Sequence, residues 1–560
     1  MRRILAVSLC LVFCVVANVD ANAADAKKPG ANAVASAHPA ATAAGLEVLA
    51  AGGNAFDAAV AVTAAVAVVE PTGSGLGGGG FWLLHRESDD FEIVVDGRET
   101  APSKASATMY LDASGKAVDK LSRNGPLSAA IPGEPAALDH IAKTYGKLTL
   151  ARNLAPAIKL ARDGFACDEK LARAFAREWD RLSPAAKATF AVDGGPPKAG
   201  ALLRQPDLAV TLERLAAQGR DGFYRGDIGS KLVAGANQSG GIWSADDLAR
   251  YEVVEREPVV LSFRDYRIVT VPPPSAGGAT LGEVLNQLEL LGWDGQGLAA
   301  KQQLIESMRR GYRDRAAYLG DSDFVKVPMT QLLSRSYARE LVKTYTPGRA
   351  TPSASLPPAP PLTEGHNTTH MSILDAEGNR VAATLSINLS FGSAYMAPGT
   401  GVFLNDEMDD FAASETASNA YGLIGSKANL VAPGKRPLSS MSPSFVEGPR
   451  GLLIVGSPGG SRIITMVLLG LLDWINGASA QQLVTAPRFH QQYLPDVVEY
   501  ESAAFSADEQ KALTGMGYTL KPVDQLYGNL QAVTWDPKTG RVDGAADPRG
   551  VGEAKVVPVH

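Results

Sequence analysis

Cysteine is nearly missing from this chain. It has three in 560 residues, and two, Cys10 and Cys14, fall in the first twenty. A chain that loses that segment keeps only Cys167, so no internal disulfide can form and the core must hold without one. A lone Cys167 reads as a small buried apolar residue. Runs of one charge are missing too. The net charge is −6 and no basic stretch is interleaved with aromatics, which excludes nucleic acid and anionic membrane surfaces as partners. No later apolar run is long and unbroken enough to cross a bilayer, so stable membrane insertion is excluded as well. The nucleophile elbow G-x-S-x-G does not occur.

What is present begins with an export signal. Arg2 and Arg3 precede the apolar run Ile4 to Val19, and Ala21-Asn22-Ala23 offers small residues for cleavage. Residues 1–23 are therefore expected to be a signal peptide, with the mature chain starting at Ala24. A lipid anchor on Cys14 is the alternative, but bulky Phe13 suits that cleavage poorly. The export signal places the protein across an inner membrane, in a bacterial periplasm.

Residues 33–70 are rich in Ala and Val and read as two buried helices broken at Gly52-Gly53-Asn54. A glycine turn then feeds a strand at Phe81-Trp82-Leu83-Leu84. Residues 91–98 form a second strand ending at Arg98. From about 135 to 350 the pattern is mostly helical, with a strand pair near Glu252 to Val271. Residues 346–362 hold six prolines and are expected to lie outside any core element, exposed and mobile. Beyond Thr368 strands dominate, with one apolar helix at Ile463 to Ile475.

Gly73-Ser74-Gly75-Leu76-Gly77-Gly78 matches G-x-G-x-x-G, but a helix precedes it and a strand follows. A dinucleotide site needs the reverse order, so these glycines read as close packing beneath a sheet. His366 and His370 are four apart, yet the extended pattern does not place them on one helical face, and no metal site is expected.

The richest stretch runs from His366 to Asn388. It reads as two alternating strands around a Gly378-Asn379 turn. A hairpin there folds Thr368 back opposite Ile387 and Asn388, at the roughly 5 Å spacing of paired positions. Thr368, Thr369, Ser386 and Asn388 thus gather at one sheet end, just behind a segment suited to cleavage. A cut between Asn367 and Thr368 would free the α-amine of Thr368 to act as base for its own hydroxyl. Farther on, Gly459 and Gly460 stand just before the Ile463 to Ile475 helix. That arrangement suits either an oxyanion hole or an ordinary strand-to-helix turn.

Read together, D-G-R-E-T-A-P, N-T-T-H, N-D-E-M-D-D-F, K-R-P-L-S-S-M-S-P, G-S-P-G-G-S-R-I-I and A-P-R-F-H-Q-Q, in that order, resemble the γ-glutamyltransferase (glutathione hydrolase) family. The resemblance runs from G-L-E-V-L-A-A-G-G-N-A-F-D to A-A-D-P-R. It implies an α+β fold, the four-layer αββα sandwich of N-terminal nucleophile hydrolases, with two stacked antiparallel sheets between helical layers. It implies a precursor cut into a large subunit, 24–367, and a small one, 368–560, that stay together as a heterodimer. Thr368 would be the nucleophile, and Ser386 would stand where the family usually has a threonine beside it. Asn388, Glu407 and Asp410 would hold the α-ammonium of a γ-glutamyl group. Arg98, Ser439 and Ser440 would hold its α-carboxylate. Gly459 and Gly460 would supply the oxyanion hole, and Tyr421 a lid. No cofactor and no metal are implied. The substrates would be glutathione and related γ-glutamyl compounds, with water, amino acids or peptides as acceptors. A same-fold acylase acting on glutaryl-cephalosporin or poly-γ-glutamate is the alternative, and an uncleaved secreted binding protein is a third.

Overall fold

The computed structural model describes residues 27–359, 367–412 and 426–559. The expected signal peptide, the last prolines of the proline-rich stretch, His366 and Tyr421 lie outside them.

Ala- and Val-rich sequence does build two helices, Pro39–Ala50 and Ala55–Val69. The break comes where Gly52 takes φ 91°, a backbone that glycine adopts without strain. Asn54 then starts the second helix by accepting the N–H groups of Phe56 and Asp57, while Asp57 accepts the Asn54 N–H at 3.0 Å. Every residue of Ala55–Val69 is buried. The start of this region departs from expectation. Ala31–Ser36 is a strand, because Glu553–Pro558 pairs with its whole length and Thr369–Leu374 with Ala33 to Ser36, and tertiary pairing overrides the helix preference of alanine.

One sheet runs in the order Glu553–Pro558, Ala31–Ser36, Thr369–Leu374, Arg380–Ser386, Gly79–Arg86, Phe91–Asp96, Val254–Arg256. The other runs Arg541–Ala546, Gln531–Asp536, Gly451–Gly456, Ser444–Gly448, Tyr266–Thr270, Val259–Phe263. All pairings in both are antiparallel. The sheets pack face to face. The Ser372 hydroxyl of the first bonds Ile454 O and Gln531 O of the second, at 3.3 and 3.0 Å. The helices Pro39–Ala50 and Ala55–Val69 cover the first sheet, and Gly277–Leu290 and Arg462–Ile475 cover the second. This is the four-layer αββα order.

The glycine run before the first inner strand acts as a packing surface. A Cβ on Gly77 would lie 1.9 Å from Phe403 O, and one on Gly78 would lie 2.1 Å from Ser386 O. His370 sits between the sheets, its ring 2.8 Å from Thr384 Oγ1 and 3.2 Å from Ser372 Oγ. Burial pushes it down to about 3, so it is a neutral core residue.

The proline-rich stretch, as far as residue 359, is fastened rather than mobile. Asp496 accepts the Ser353 N–H at 2.7 Å, the Ser353 hydroxyl donates to Tyr493 O at 2.7 Å, and the Tyr493 hydroxyl accepts the Ala359 N–H at 3.3 Å. Proline denies the stretch a ladder, and side-chain anchors replace one.

Candidate active site

Thr368 stands just before the strand Thr369–Leu374, at the end of the sheet far from the hairpin turn. Thr369 pairs with Leu385, which puts Thr368 opposite Ser386 rather than Ile387 and Asn388. The register differs because the turn is a closed loop of five residues. The Asp375 carboxylate accepts N–H groups from Glu377 and Asn379 at 2.9 and 3.0 Å, and Leu374 pairs with Arg380.

The shifted register brings two hydroxyls together. Thr368 Oγ1 lies 3.3 Å from Ser386 Oγ. Ser386 Oγ donates to the carbonyl of Asn367 at 3.1 Å and accepts the N–H of Asn388 at 2.7 Å. The Thr369 hydroxyl is pinned to Glu70 at 2.7 Å. In the unbroken chain the Thr368 nitrogen is still an amide.

Asn388 has φ 73°, a left-handed turn out of the strand that asparagine tolerates. Its side chain donates to Asp406 O at 3.0 Å. That contact draws in the acidic turn Glu407–Asp410. Asn405, not foreseen as important, ties the same turn to the other end of the chain, with bonds to Gly77 O at 2.6 Å and Ala130 O at 2.8 Å.

Arg98 follows the strand Phe91–Asp96 and is 1% exposed. It was expected to face the acidic pair across a bound ligand, but it is joined to that pair directly. Nη1 donates to Glu407 at 2.6 Å and to Glu99 at 3.4 Å, and Nη2 donates to Asp410 at 2.5 Å and to Leu438 O at 3.4 Å. Nε reaches Pro437 O at 3.3 Å. All five N–H groups of the guanidinium are engaged. Three buried carboxylates need this cation, since unpaired buried charge is costly.

The charges show the strain of that arrangement. Burial pushes the Glu99 carboxyl up to about 8, against the pull of Arg98. Burial also pushes Glu407 up to about 7. Asp410 is raised by burial and then by repulsion from Glu407. Burial works against the Arg98 cation, but the carboxylates of Glu407, Glu99 and Asp410 outweigh it and hold its pKa above the ordinary value. Glu99 is a site residue that sequence reading missed, although it directly follows Arg98.

The serine run forms the facing wall. Ser439 N–H donates to Pro274 O at 2.9 Å, and Ser439 Oγ accepts the Met441 N–H at 3.1 Å. Ser440 Oγ accepts from Arg315 Nη2 at 2.8 Å. Gly459 and Gly460 take φ 139° and 58°, so side chains there would strain the loop. Neither N–H donates to another described residue.

One pocket gathers these groups: Arg98, Thr368, Ser386, Asn388, Glu407, Asp410, Ser439, Ser440 and Gly460, with Met441 and Ile463. Gly459 sits one residue behind the wall. Elsewhere, His85, Glu92 and Glu447 come close enough to hold a metal ion. Arg267 already pairs with both glutamates and Arg380 with Glu447, so that cluster is an ion-pair network joining the sheets.

The chain is similar to known proteins over nearly its whole length. It is 42% identical to the glutathione hydrolase proenzyme of Pseudomonas sp. (strain A14), covering 90% of each chain. It is 40% identical to that of Escherichia coli (strain K12), covering 92% of this chain and 90% of the relative. Among solved structures, cephalosporin acylase from Bacillus halodurans superposes with a TM-score of 0.82 at 27% identity, over 97% of this chain and 99% of that one. The gamma-glutamyltranspeptidase of Helicobacter pylori matches at 38% identity and a TM-score of 0.55, over 57% of this chain and 93% of that one. These likenesses carry the fold of the N-terminal nucleophile hydrolases. With the Gamma-glutamyltranspeptidase family model matching residues 41–557 on top of them, the chain belongs to the gamma-glutamyltranspeptidase family.

Proposed function

We propose that this chain cuts itself between Asn367 and Thr368 and then works as a γ-glutamyltransferase and glutathione hydrolase. The observation that carries this reading is the meeting, in one cavity, of a threonine hydroxyl, a second hydroxyl on the preceding carbonyl, and a pocket holding both signs of charge. The curated relatives are named glutathione hydrolase proenzymes.

In the first reaction Thr368 Oγ1 attacks the carbonyl carbon of Asn367. The Ser386 hydroxyl already donates to that carbonyl oxygen and holds the negative charge that develops there. The C–N bond breaks as the hydroxyl proton passes to the Thr368 nitrogen, an ester joins Asn367 to Thr368 Oγ1, and water hydrolyses it. The large subunit, 24–367, then ends in a carboxylate and the small one, 368–560, begins with a free amine.

In the second reaction that amine takes the Thr368 hydroxyl proton as Oγ1 attacks the γ-carbonyl of the donor. The N–H groups of Gly459 and Gly460 meet the oxyanion. The amine returns the proton to the leaving nitrogen, and a γ-glutamyl ester remains. Water, an amino acid or a peptide amine resolves it.

Recognition rests on the ion cluster. The donor's α-ammonium supplies the positive charge that Glu407, Asp410 and Asn388 surround. Its α-carboxylate takes N–H groups of Arg98 and the hydroxyls of Ser439 and Ser440. Because every Arg98 N–H meets a protein acceptor, donor binding is an exchange: ammonium replaces guanidinium at the acids, and carboxylate replaces acids at the guanidinium. A glutaryl group brings no ammonium for that exchange, which disfavours the acylase reading despite the likeness to cephalosporin acylase. Export to the periplasm is part of the same proposal. Among the described residues, no helix is long and apolar enough to cross a membrane.

The test is purified protein with glutathione, with and without a dipeptide acceptor, following glutamate and cysteinylglycine. Release of both supports the reading. Turnover of glutaryl amides with none of glutathione would replace it with the acylase.

A further inference from the structure

The helix Gly297–Tyr318 lies outside the cavity wall but touches two loops that form it. Tyr312 and Arg315 are three residues apart, so they share one face of that helix. They are 0% and 1% exposed. The Tyr312 hydroxyl donates to the carbonyl of Ser461, the residue after Gly459-Gly460. Arg315 Nη2 donates to Ser440 Oγ at 2.8 Å.

Each contact sits in a supporting arrangement. The Tyr312 ring stands edge-on to His490 at 5.3 Å, and His490 Nδ1 lies 2.9 Å from Thr465 Oγ1. The Ser461 hydroxyl donates to Gln492 at 2.6 Å. Ser461 is thereby held through both its carbonyl and its side chain. Arg315 is a buried cation, pushed down to about 10 by burial and drawn back up by Tyr312 and Asp410. Because Arg315 donates to Ser440 Oγ, the serine hydroxyl is an acceptor on that side and must send its own proton another way.

We infer that Tyr312 and Arg315 are a pair of positioning residues that set the two ends of the γ-glutamyl group separately. Tyr312 fixes the loop that presents the oxyanion donors to the γ-carbonyl. Arg315 orients and polarises Ser440 toward the α-carboxylate. One stiff helix holds both, so the spacing between the two ends does not depend on either loop. The inference rests on the γ-glutamyl reading above.

The experiment uses processed enzyme and γ-glutamyl-p-nitroanilide. Tyr312→Phe removes one hydroxyl from the loop support. Its kcat should fall roughly tenfold, less than loss of a direct oxyanion donor, with KM within about twofold. Arg315→Met should do the opposite, raising KM roughly tenfold with kcat little changed. Arg315→Lys, which keeps a donor near Ser440, should restore most of the KM. Ser440→Ala should raise KM too, and Arg315→Met should add little to it, because interacting residues are not additive. If Arg315→Met gives no processed enzyme, Arg315→Lys carries the same cycle: it must change KM less in the Ser440→Ala background than alone. Variants that lower kcat and raise KM together, or an additive Arg315–Ser440 pair, would overturn the inference. A wild type inert toward this donor would bring down the γ-glutamyl reading itself, whereas an active wild type without the split removes only the positioning pair.

Discussion

The hydroxyl of Ser386 faces that of Thr368 across the hairpin at 3.3 Å, and it bonds the carbonyl of Asn367. In the proposed self-cleavage, that one side chain would act before any substrate arrives. Ser386→Ala should mature slowly, by roughly 10²-fold, the cost of one oxyanion donor. Gel densitometry over time after purification measures it. Maturation at the wild-type rate would show that Ser386 is only a neighbour.

Thr368→Ala should stop both cleavage and turnover, since one oxygen is the nucleophile in each. Wild type should run as two bands on a denaturing gel, and the smaller should read Thr-Thr-His-Met-Ser by N-terminal sequencing. A processed alanine variant would mean that another group makes the cut.

Arg98→Lys should weaken both donor binding and the fold. Lysine has three donors where the guanidinium uses five, so acceptors among Glu99, Glu407, Asp410 and the Pro437 and Leu438 carbonyls are stranded. Each stranded buried acceptor costs about 1–3 kcal/mol. A KM increase together with a lower melting temperature is expected. Unchanged KM would take Arg98 out of the pocket.

Asp410→Asn should separate donor classes. It leaves a bound α-ammonium short of a partner, at a cost of about 2–5 kcal/mol in kcat/KM for γ-glutamyl donors. Glutaryl-p-nitroanilide has no such cation and should lose little. An equal fall for both donors would make Asp410 a residue of the fold.

The pH dependence of binding follows from the same cluster. Burial raises Glu407 to about 7 and lifts Asp410 as well, so these acids take up protons at mildly acidic pH. The α-ammonium binds the ionised form. KM for γ-glutamyl donors should therefore fall as the pH rises through about 7, and Asp410→Asn should flatten that limb. A KM flat across the range would sever the acids from ammonium recognition.

Much of this site was legible because its chemistry is local in sequence. Asn367-Thr368, Glu407–Asp410, Ser439-Ser440 and Gly459-Gly460 are each short runs that the family resemblance picks out, and all but Asn367 and Gly459 contribute to the lining of one pocket. Ser386 was named beside Thr368, but the hairpin register was set one to two residues off, since the closing of the turn by Asp375 is a side-chain effect that alternation does not register. Ala31–Ser36 was missed as a strand because its neighbours come from sequence positions more than three hundred residues away. The pairing of Arg98 with Asp410 was hidden for another reason. Residues assigned to opposite ends of a ligand look like separate groups, although here they are buried together and bonded directly.

The strand order has a mechanical consequence. Ala31–Ser36 lies between Thr369–Leu374 and Glu553–Pro558, and Ser444–Gly448 lies beside Tyr266–Thr270. A nick at Asn367 would thus sever the covalent thread and leave both hydrogen-bonded fabrics uncut, each woven from the two pieces. The pieces could not drift apart on dilution, and neither would have a complete sheet to fold by itself. Maturation of the proposed kind would change what Thr368 can do without loosening what holds it.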